Sequence, residues 1–206
     1  MTIQNSGSKA ILIAALMGLS ACASPIPATF DSGDITAFGT TLTSLSSATD
    51  STGITRAGSA TYAGLFNADM GSDGNFIGDV SLTANFDDAS ISGDVTNINL
   101  LGNPDLDDQT LDGSVDVTGT IDKAAGTLAA TGAGSLTAVA TADGFGLNVD
   151  VDVTTTVAGA FKTATSAADT IVGTVEISGT ITPPAVSGED PITIDPTTAD
   201  FYAQEQ

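Results

Sequence analysis

Apolar and polar side chains alternate with period two through most of the chain beyond residue 59. In the clearest run, 111–121, apolar residues or glycine occupy the odd positions, and Asp, Ser or Thr occupy the even positions. Alternation of this length is typical of a β-strand with one buried and one solvated face. The pattern predicts eight strands, at 59–66, 75–86, 89–98, 110–122, 126–140, 144–157, 157–162 and 170–181.

The segments between these runs are short and contain the residues that favour turns. Sequential strands with short connections favour an antiparallel meander, and a long meander hides its edges by closing on itself. We therefore predict an all-β fold, an antiparallel eight-stranded up-and-down barrel, whose interior holds side chains or one small ligand. Glycines within the strands indicate either a ligand cavity or, as we favour, sharp bending of a small barrel; they are Gly113, Gly119, Gly132, Gly134, Gly173 and Gly179.

The barrel is predicted to be one of four parts of the chain. Residues 1–21 are expected to be a signal peptide, 22–58 a tether and partly ordered segment, 59–182 the barrel, and 183–206 a tail. The first ten or so residues after 21 contain two prolines and are expected to lift the domain off a membrane. The tail contains four prolines and no periodicity, so we expect it to pack loosely or fray. The N-terminal side chains expected to pack on the domain are Phe30, Ile35, Phe38, Leu42 and Leu45.

The N-terminus has the pattern of an export signal. Lys9 precedes an apolar run from Ala10 to Leu19, which is shorter than the roughly 20 residues of a membrane-spanning helix. The run ends in Leu19-Ser20-Ala21-Cys22, which resembles the bacterial lipobox. That resemblance implies that the Cys22 sulfur receives a diacylglyceryl group and that Cys22 becomes the new N-terminus. The alternative is an ordinary signal peptide with cleavage at an Ala-x-Ala-like site and an incidental cysteine.

The residue after Cys22 also bears on where the protein is sorted. Asp at that position resembles a signal for retention in the inner membrane, and this chain has Ala23 there. We therefore predict a lipid-anchored protein of the outer membrane in a Gram-negative envelope. Cys22 is the single cysteine of the chain, so no disulfide framework is expected.

Charge and composition exclude several classes of function. The net charge is −21, with 25 acidic and 4 basic residues, which excludes nucleic acid as a partner. Two interpretations of the acidity remain, adaptation to a saline setting, which we favour, or a surface that binds a basic ligand. The chain has no histidine, which removes Ser-His-Asp and Cys-His catalysis as well as histidine ligation of zinc or haem. We predict no catalytic residues and no cofactor.

Carboxylates provide the remaining candidates for chemistry. Asp105, Asp107, Asp108 and Asp112 crowd one predicted loop, which indicates either a weak Ca²⁺ site or, as we favour, a solvated acidic turn. Asp150 and Asp152 share one strand face and have the residue type of a glycosidase pair. Their place in the alternation indicates solubilising residues on the wet face, so neither a metal site nor an enzyme is predicted.

Several motifs together resemble the barrel domain of the transferrin-binding protein B superfamily of surface lipoproteins. A Tyr-x-Gly opening at Tyr62-Ala63-Gly64 is followed by a strand ending in Asn-Phe, from Asp79 to Phe86, and then by Ile91 to Asn97. Near the end of the domain, the chain also has the elements Gly159-Ala160-Phe161, Ala167-Ala168 and Ile171–Glu176.

The resemblance implies a lipid-tethered, eight-stranded barrel that a dedicated translocon carries to the cell surface. Members of the family bind host transferrin, haem-carrying proteins or complement regulators. This chain has neither the handle domain nor the second lobe of the transferrin binders, and no residue here can carry transferrin binding across.

Together these patterns predict a non-catalytic, lipid-anchored and surface-exposed outer-membrane protein. Its expected partners are the membrane, through lipid on Cys22, the export machinery, and an extracellular protein or small ligand such as a haem or metal carrier. The alternatives are a β-rich adhesin or a structural envelope lipoprotein. A transmembrane barrel is disfavoured because aromatic residues are 5% of the chain and Trp is absent. A β-solenoid would require a fixed repeat, which the sequence does not contain.

Overall fold

The fold is a closed antiparallel barrel of eight long strands, with one helix on its outer wall. The computed structural model describes residues 23–104, 106–142, 145–163, 168–182 and 191–206. The predicted signal peptide and Cys22 lie outside these residues. The helices are α1 (Ser32–Ser46) and a single 3₁₀ turn (Gly71–Asp73). The strands are β1 (Ile26–Pro27), β2 (Thr49–Asp50), β3 (Ser59–Asp69), β4 (Asn75–Asn85), β5 (Ser90–Leu101), β6 (Gln109–Thr110), β7 (Asp112–Asp122), β8 (Thr127–Ala142), β9 (Phe145–Thr163), β10 (Thr170–Thr182) and β11 (Ile192–Glu205).

The predicted barrel topology is confirmed. The eight long strands follow one another around the barrel as a meander, β3-β4-β5-β7-β8-β9-β10-β11, and every neighbouring pair is antiparallel. The barrel closes where β11 pairs with β3, with Phe201 opposite Phe66. Apolar residues face the interior and Asp, Ser and Thr alternate on the outside, as the period-two pattern predicts.

The segments that form the eight strands differ from the prediction at two places. The runs predicted as separate strands, 144–157 and 157–162, form the single strand β9. The eighth strand is β11, which lies in the segment predicted to be a loose tail. Pro196 is tolerated there because the β10–β11 ladder is irregular between Ile177 and Gly179, and proline cannot donate a ladder hydrogen bond. The barrel therefore includes most of the chain after residue 190.

The N-terminal segment lies on the barrel wall, and the prediction that its first ten residues form a tether is wrong. Ile26–Pro27 pairs with Gln109–Thr110, and the Thr29 amide donates to Oδ1 of Asn99 at 2.7 Å. Ala23 lies against β9 so closely that a Cβ atom on Gly146 would overlap the Ala23 carbonyl. We call residues 23–31 the strap, because they cross the outside of the barrel at one end.

A side chain closes a gap in the wall near the strap. β8 extends past the start of β7, so Val139 has no ladder partner from β7. The Gln109 side-chain amide replaces that partner: Oε1 accepts from the Val139 amide at 2.8 Å, and Nε2 donates to the Val139 carbonyl at 3.1 Å. Gln109 is fully buried, and its amide satisfies both backbone groups much as a strand would.

Helix α1 covers an apolar row on the outside of the barrel. Asp31 caps its N-terminus and forms a reciprocal capping box with Asp34. Phe38 stacks on Tyr202 of β11 at a ring-centroid distance of 5.5 Å, beside the register partners Leu65 and Val172. The predicted packing of Phe38 and Leu45 is confirmed by their burial, whereas Phe30, Ile35 and Leu42 are half-buried.

Candidate functional site: a cavity in the barrel

The two ends of the barrel interior are filled differently. We call the end at turns 86–89 and 123–126 the base, and the end at turns 70–74 and 102–108 the distal end. Three fully buried rings fill the base: Tyr62 and Phe161 meet edge to face at 5.9 Å, and Phe86 and Phe161 at 5.7 Å. Aromatic rings of this size and geometry leave little free volume, so the base is a packed core.

Hydrogen bonds complete the packing of the base. The Tyr62 hydroxyl donates to the carbonyl oxygen of Ala168 at 2.6 Å. Burial raises the pKa of Tyr62 to about 12, and the nearby Arg56 opposes that rise. Tyr62 therefore stays protonated and keeps donating this hydrogen bond throughout the ordinary pH range.

Residues 51–58 run across the end of the barrel at the base, and Arg56 lies within this segment. The Arg56 guanidinium lies 5.3 Å from the centroid of the Phe86 ring and forms a bidentate ion pair with Glu205. The hydrogen bond from Arg56 lowers the pKa of Glu205, and the same bond raises the pKa of Arg56. Lys123 donates to the carbonyl oxygens of Arg56 at 3.0 Å and Phe86 at 2.9 Å, so it ties the crossing segment to the barrel.

The distal half of the interior contains a cavity of about 70 Å³. Phe66 and Phe201 form its floor towards the base, and Met70, Phe76 and Ile194 line it near the distal end. These last three side chains are partly exposed, and the cavity is neither sealed nor a surface groove. Valine and leucine side chains supply most of the rest of the wall, which makes the site suitable for an apolar ligand.

Two threonines interrupt this apolar lining. Thr155 on β9 and Thr197 on β11 are the register partners on either side of Ile177, and both line the cavity through apolar atoms, because the cavity surface exposes no polar atom. Thr155 is 8% exposed, and within the described residues its hydroxyl oxygen has no hydrogen-bond partner. An unsatisfied buried hydroxyl costs a fold about 1–3 kcal/mol.

Glycine accounts for the space around the Thr155 hydroxyl. The cross-strand neighbour of Thr155 on β8 is Gly132, and a Cβ atom there would press directly on the Thr155 hydroxyl oxygen. The other in-strand glycines differ, because a side chain at Gly113, Gly119, Gly134, Gly173 or Gly179 would meet the backbone of an adjacent strand. Those five positions fit the preferred interpretation of a tightly coiled barrel, whereas a side chain at Gly132 would first meet the Thr155 hydroxyl oxygen.

The acidic candidates are distributed over the outside of the barrel. Asp150 and Asp152 are exposed, and they accept hydrogen bonds from Thr137 at 3.4 Å and from Ser135 at 2.6 Å. Asp108 accepts from the Gly102 amide at 2.6 Å and so helps to shape its loop. Asp105 and Cys22 lie outside the described residues, and the described His, Cys, Asp and Glu side chains form no group of three that could hold a metal ion.

Sequence alternation located the cavity walls but not the hydroxyl. Thr155 occupies an inward position between Val153 and Val157, and a polar residue at an inward position was the available signal. No family model, curated protein or solved structure matches the chain. Among the residues described, no helix has the length and apolar character needed to cross a membrane.

Proposed function

We propose that the protein is a non-catalytic, lipid-anchored lipoprotein of the outer membrane that binds a small, largely apolar ligand inside its barrel. The distal cavity carries this proposal, because its walls are apolar and it is partly open beside a fully packed base. An unfilled apolar space loses the dispersion contacts that a ligand would restore, so binding in it is favourable.

The membrane anchor rests on the lipobox-like residues 19–22. Acylation of Cys22 would hold the chain firmly, because each buried methylene of a lipid contributes about 0.8 kcal/mol. The motifs at Tyr62-Ala63-Gly64 and Ile91 to Asn97 favour a single-barrel relative of the transferrin-binding protein B superfamily. An eight-stranded barrel agrees with that resemblance at the level of fold, and fold alone does not transfer an activity.

The anchor and its sidedness can be tested together in cells. The full chain is expressed in a Gram-negative host with radiolabelled palmitate, next to Cys22→Ser, and intact cells are treated with a non-permeant protease. We expect label on the wild-type chain only, and loss of the labelled protein on protease treatment. Absence of label from the wild-type chain would overturn lipid anchoring. Full protection until permeabilisation would favour a structural lipoprotein facing the periplasm.

A further inference from the structure

We propose that the distal cavity takes the end of a single unbranched alkyl chain, and that the positively charged polar group of that chain stays outside the distal end of the barrel. This inference rests on the proposed ligand-binding function and specifies its ligand class. Three properties of the molecule carry it: the apolar surface of the cavity, its small size, and the uneven distribution of charge between the two ends of the barrel.

The surface of the cavity restricts the chemistry of its occupant. No polar atom of the described residues reaches that surface, and Thr155 and Thr197 contribute only apolar atoms to it. A polar group inside would lose its hydrogen bonds to water without gaining others, which is costly. The part of a ligand that lies in the cavity is therefore hydrocarbon, and its polar group stays in solvent.

The size of the cavity restricts the shape of its occupant. Its volume of about 70 Å³ is roughly half of the 150 Å³ of an engineered apolar cavity that accepts benzene, so by proportion it holds about three carbon atoms. The packed rings close it towards the base, whereas Met70, Phe76 and Ile194 near the distal end are partly exposed. The end of a straight chain can enter lengthwise from the distal end, but an aromatic ring or a tert-butyl group is too wide.

The charges at the two ends of the barrel indicate which polar group is favoured outside. The basic side chains of the described residues, Arg56, Lys123 and Lys162, all lie at the base. Exposed carboxylates lie on or beside the distal turns; they are Asp69, Asp73, Asp107 and Asp108. The potential outside the distal end is therefore negative, which favours a cationic group on the ligand and repels a carboxylate.

The test uses four probes with eight carbon atoms each. Three are ammonium ions with a straight chain, a branched end or a ring: n-octylammonium, 1,1,3,3-tetramethylbutylammonium and 2-phenylethylammonium. The fourth, n-octanoate, has a straight chain and a negative charge. Each is titrated, below the concentration at which it forms micelles, into residues 22–206 with Cys22→Ser. Binding is followed by the NMR shifts of Val, Leu and Ile methyl groups that line the cavity.

A pair of variants shows whether the chain occupies the cavity. Val153 lines the cavity, so Val153→Phe fills it, and Thr154→Phe is the matched change on the exposed face. Each buried methylene strengthens binding about fourfold, so loss of the space for about three carbons should weaken n-octylammonium binding at least about tenfold. Val153→Ile adds one methylene and should weaken it about fourfold even if Val153→Phe folds poorly. Thr154→Phe should have no effect, and unchanged binding in both Val153 variants would overturn the inference.

The four probes separate this inference from the proposed function. We expect n-octylammonium to bind at least about tenfold tighter than the branched and ring-bearing ammonium ions, because about three methylenes enter the cavity only from the straight chain. It should also bind tighter than n-octanoate in low salt, and high salt should reduce that difference. Equal affinities of the three ammonium ions, or equal or tighter binding of n-octanoate in low salt, would overturn the inference while shifts of the cavity methyls still support cavity binding. If no probe shifts a cavity methyl, both the inference and the proposed binding function fail.

Discussion

The base and the distal half of this barrel are made by the same eight strands, but the base is densely packed and the distal half contains a cavity. At the base, Tyr62, Phe86 and Phe161 fill the interior, and the Tyr62 hydroxyl and the Arg56 and Lys123 head groups have partners. In the distal half, smaller side chains leave a cavity, and the Thr155 hydroxyl has no partner among the residues that the structure describes. The radius of a barrel is set by its strand number and shear, so the difference comes from side-chain volume alone. Stability is therefore expected to concentrate at the base and binding at the distal end.

The largest expected effect is the loss of a ring at the base. Phe161→Ala should lower the free energy of unfolding by about 3–5 kcal/mol, because a fully buried side chain is replaced by a new void. Leu136→Ala, at the cavity wall, should cost less, about 2 kcal/mol, because Leu136 already borders empty space. Urea unfolding measures both values, and equal losses at the two positions would contradict the division of the barrel.

A second test at the base uses pH. Tyr62→Phe should cost about 1–2 kcal/mol at neutral pH, because the Ala168 carbonyl loses its donor. The folded-state pKa of Tyr62, about 12, lies above the unfolded value of about 10. The wild-type protein is therefore expected to lose stability as pH rises from about 10 to about 12, whereas the variant lacks this loss. The stability gap between them should narrow over that interval in thermal melts, and a constant gap would refute the assignment.

In the distal half, removal of a buried hydroxyl is expected to stabilise the fold. Thr155→Val removes a buried hydroxyl that has no partner in the described part of the chain, and it should raise the free energy of unfolding by about 1 kcal/mol. The exposed neighbour Thr154→Val should change it by less than about 0.5 kcal/mol. Urea unfolding of both variants without ligand provides the measurement. Destabilisation by Thr155→Val would indicate that the hydroxyl has a partner in solution.

The smallest effect is expected at the ion pair that spans the base. Arg56 and Glu205 side chains are each 27% exposed, so Glu205→Gln should cost about 0.5 kcal/mol at pH 7. Because the pairing lowers the pKa of Glu205, its contribution is present above the unfolded value of about 4.3 and is lost as pH falls. The melting temperatures of wild type and variant should therefore converge under acid conditions. Divergence there would show that the expected sign of the pH dependence is wrong.

The sequence was informative where large apolar side chains alternate and much less so elsewhere. Runs such as 111–121 predicted their strands closely. β11 was missed because its inward positions include small alanines, Ala199 and Ala203, and because Pro196 lies within it. The strap was misinterpreted for another reason. It docks through backbone pairing and through Asn99, and neither leaves a hydrophobic period in the sequence.

The contact between Ala23 and Gly146 means that residues 23–31 do not act as a flexible linker between the barrel and the N-terminus. Cys22 directly precedes Ala23 in the sequence, and Ala23 lies against β9 at the distal end. A flexible linker would let the domain take many orientations above a bilayer. A lipid on Cys22 would instead hold the barrel with its distal end towards the lipid headgroups. Arg56, Lys123 and the packed base would then form the outermost pole, and molecules entering the cavity would come by way of the membrane surface.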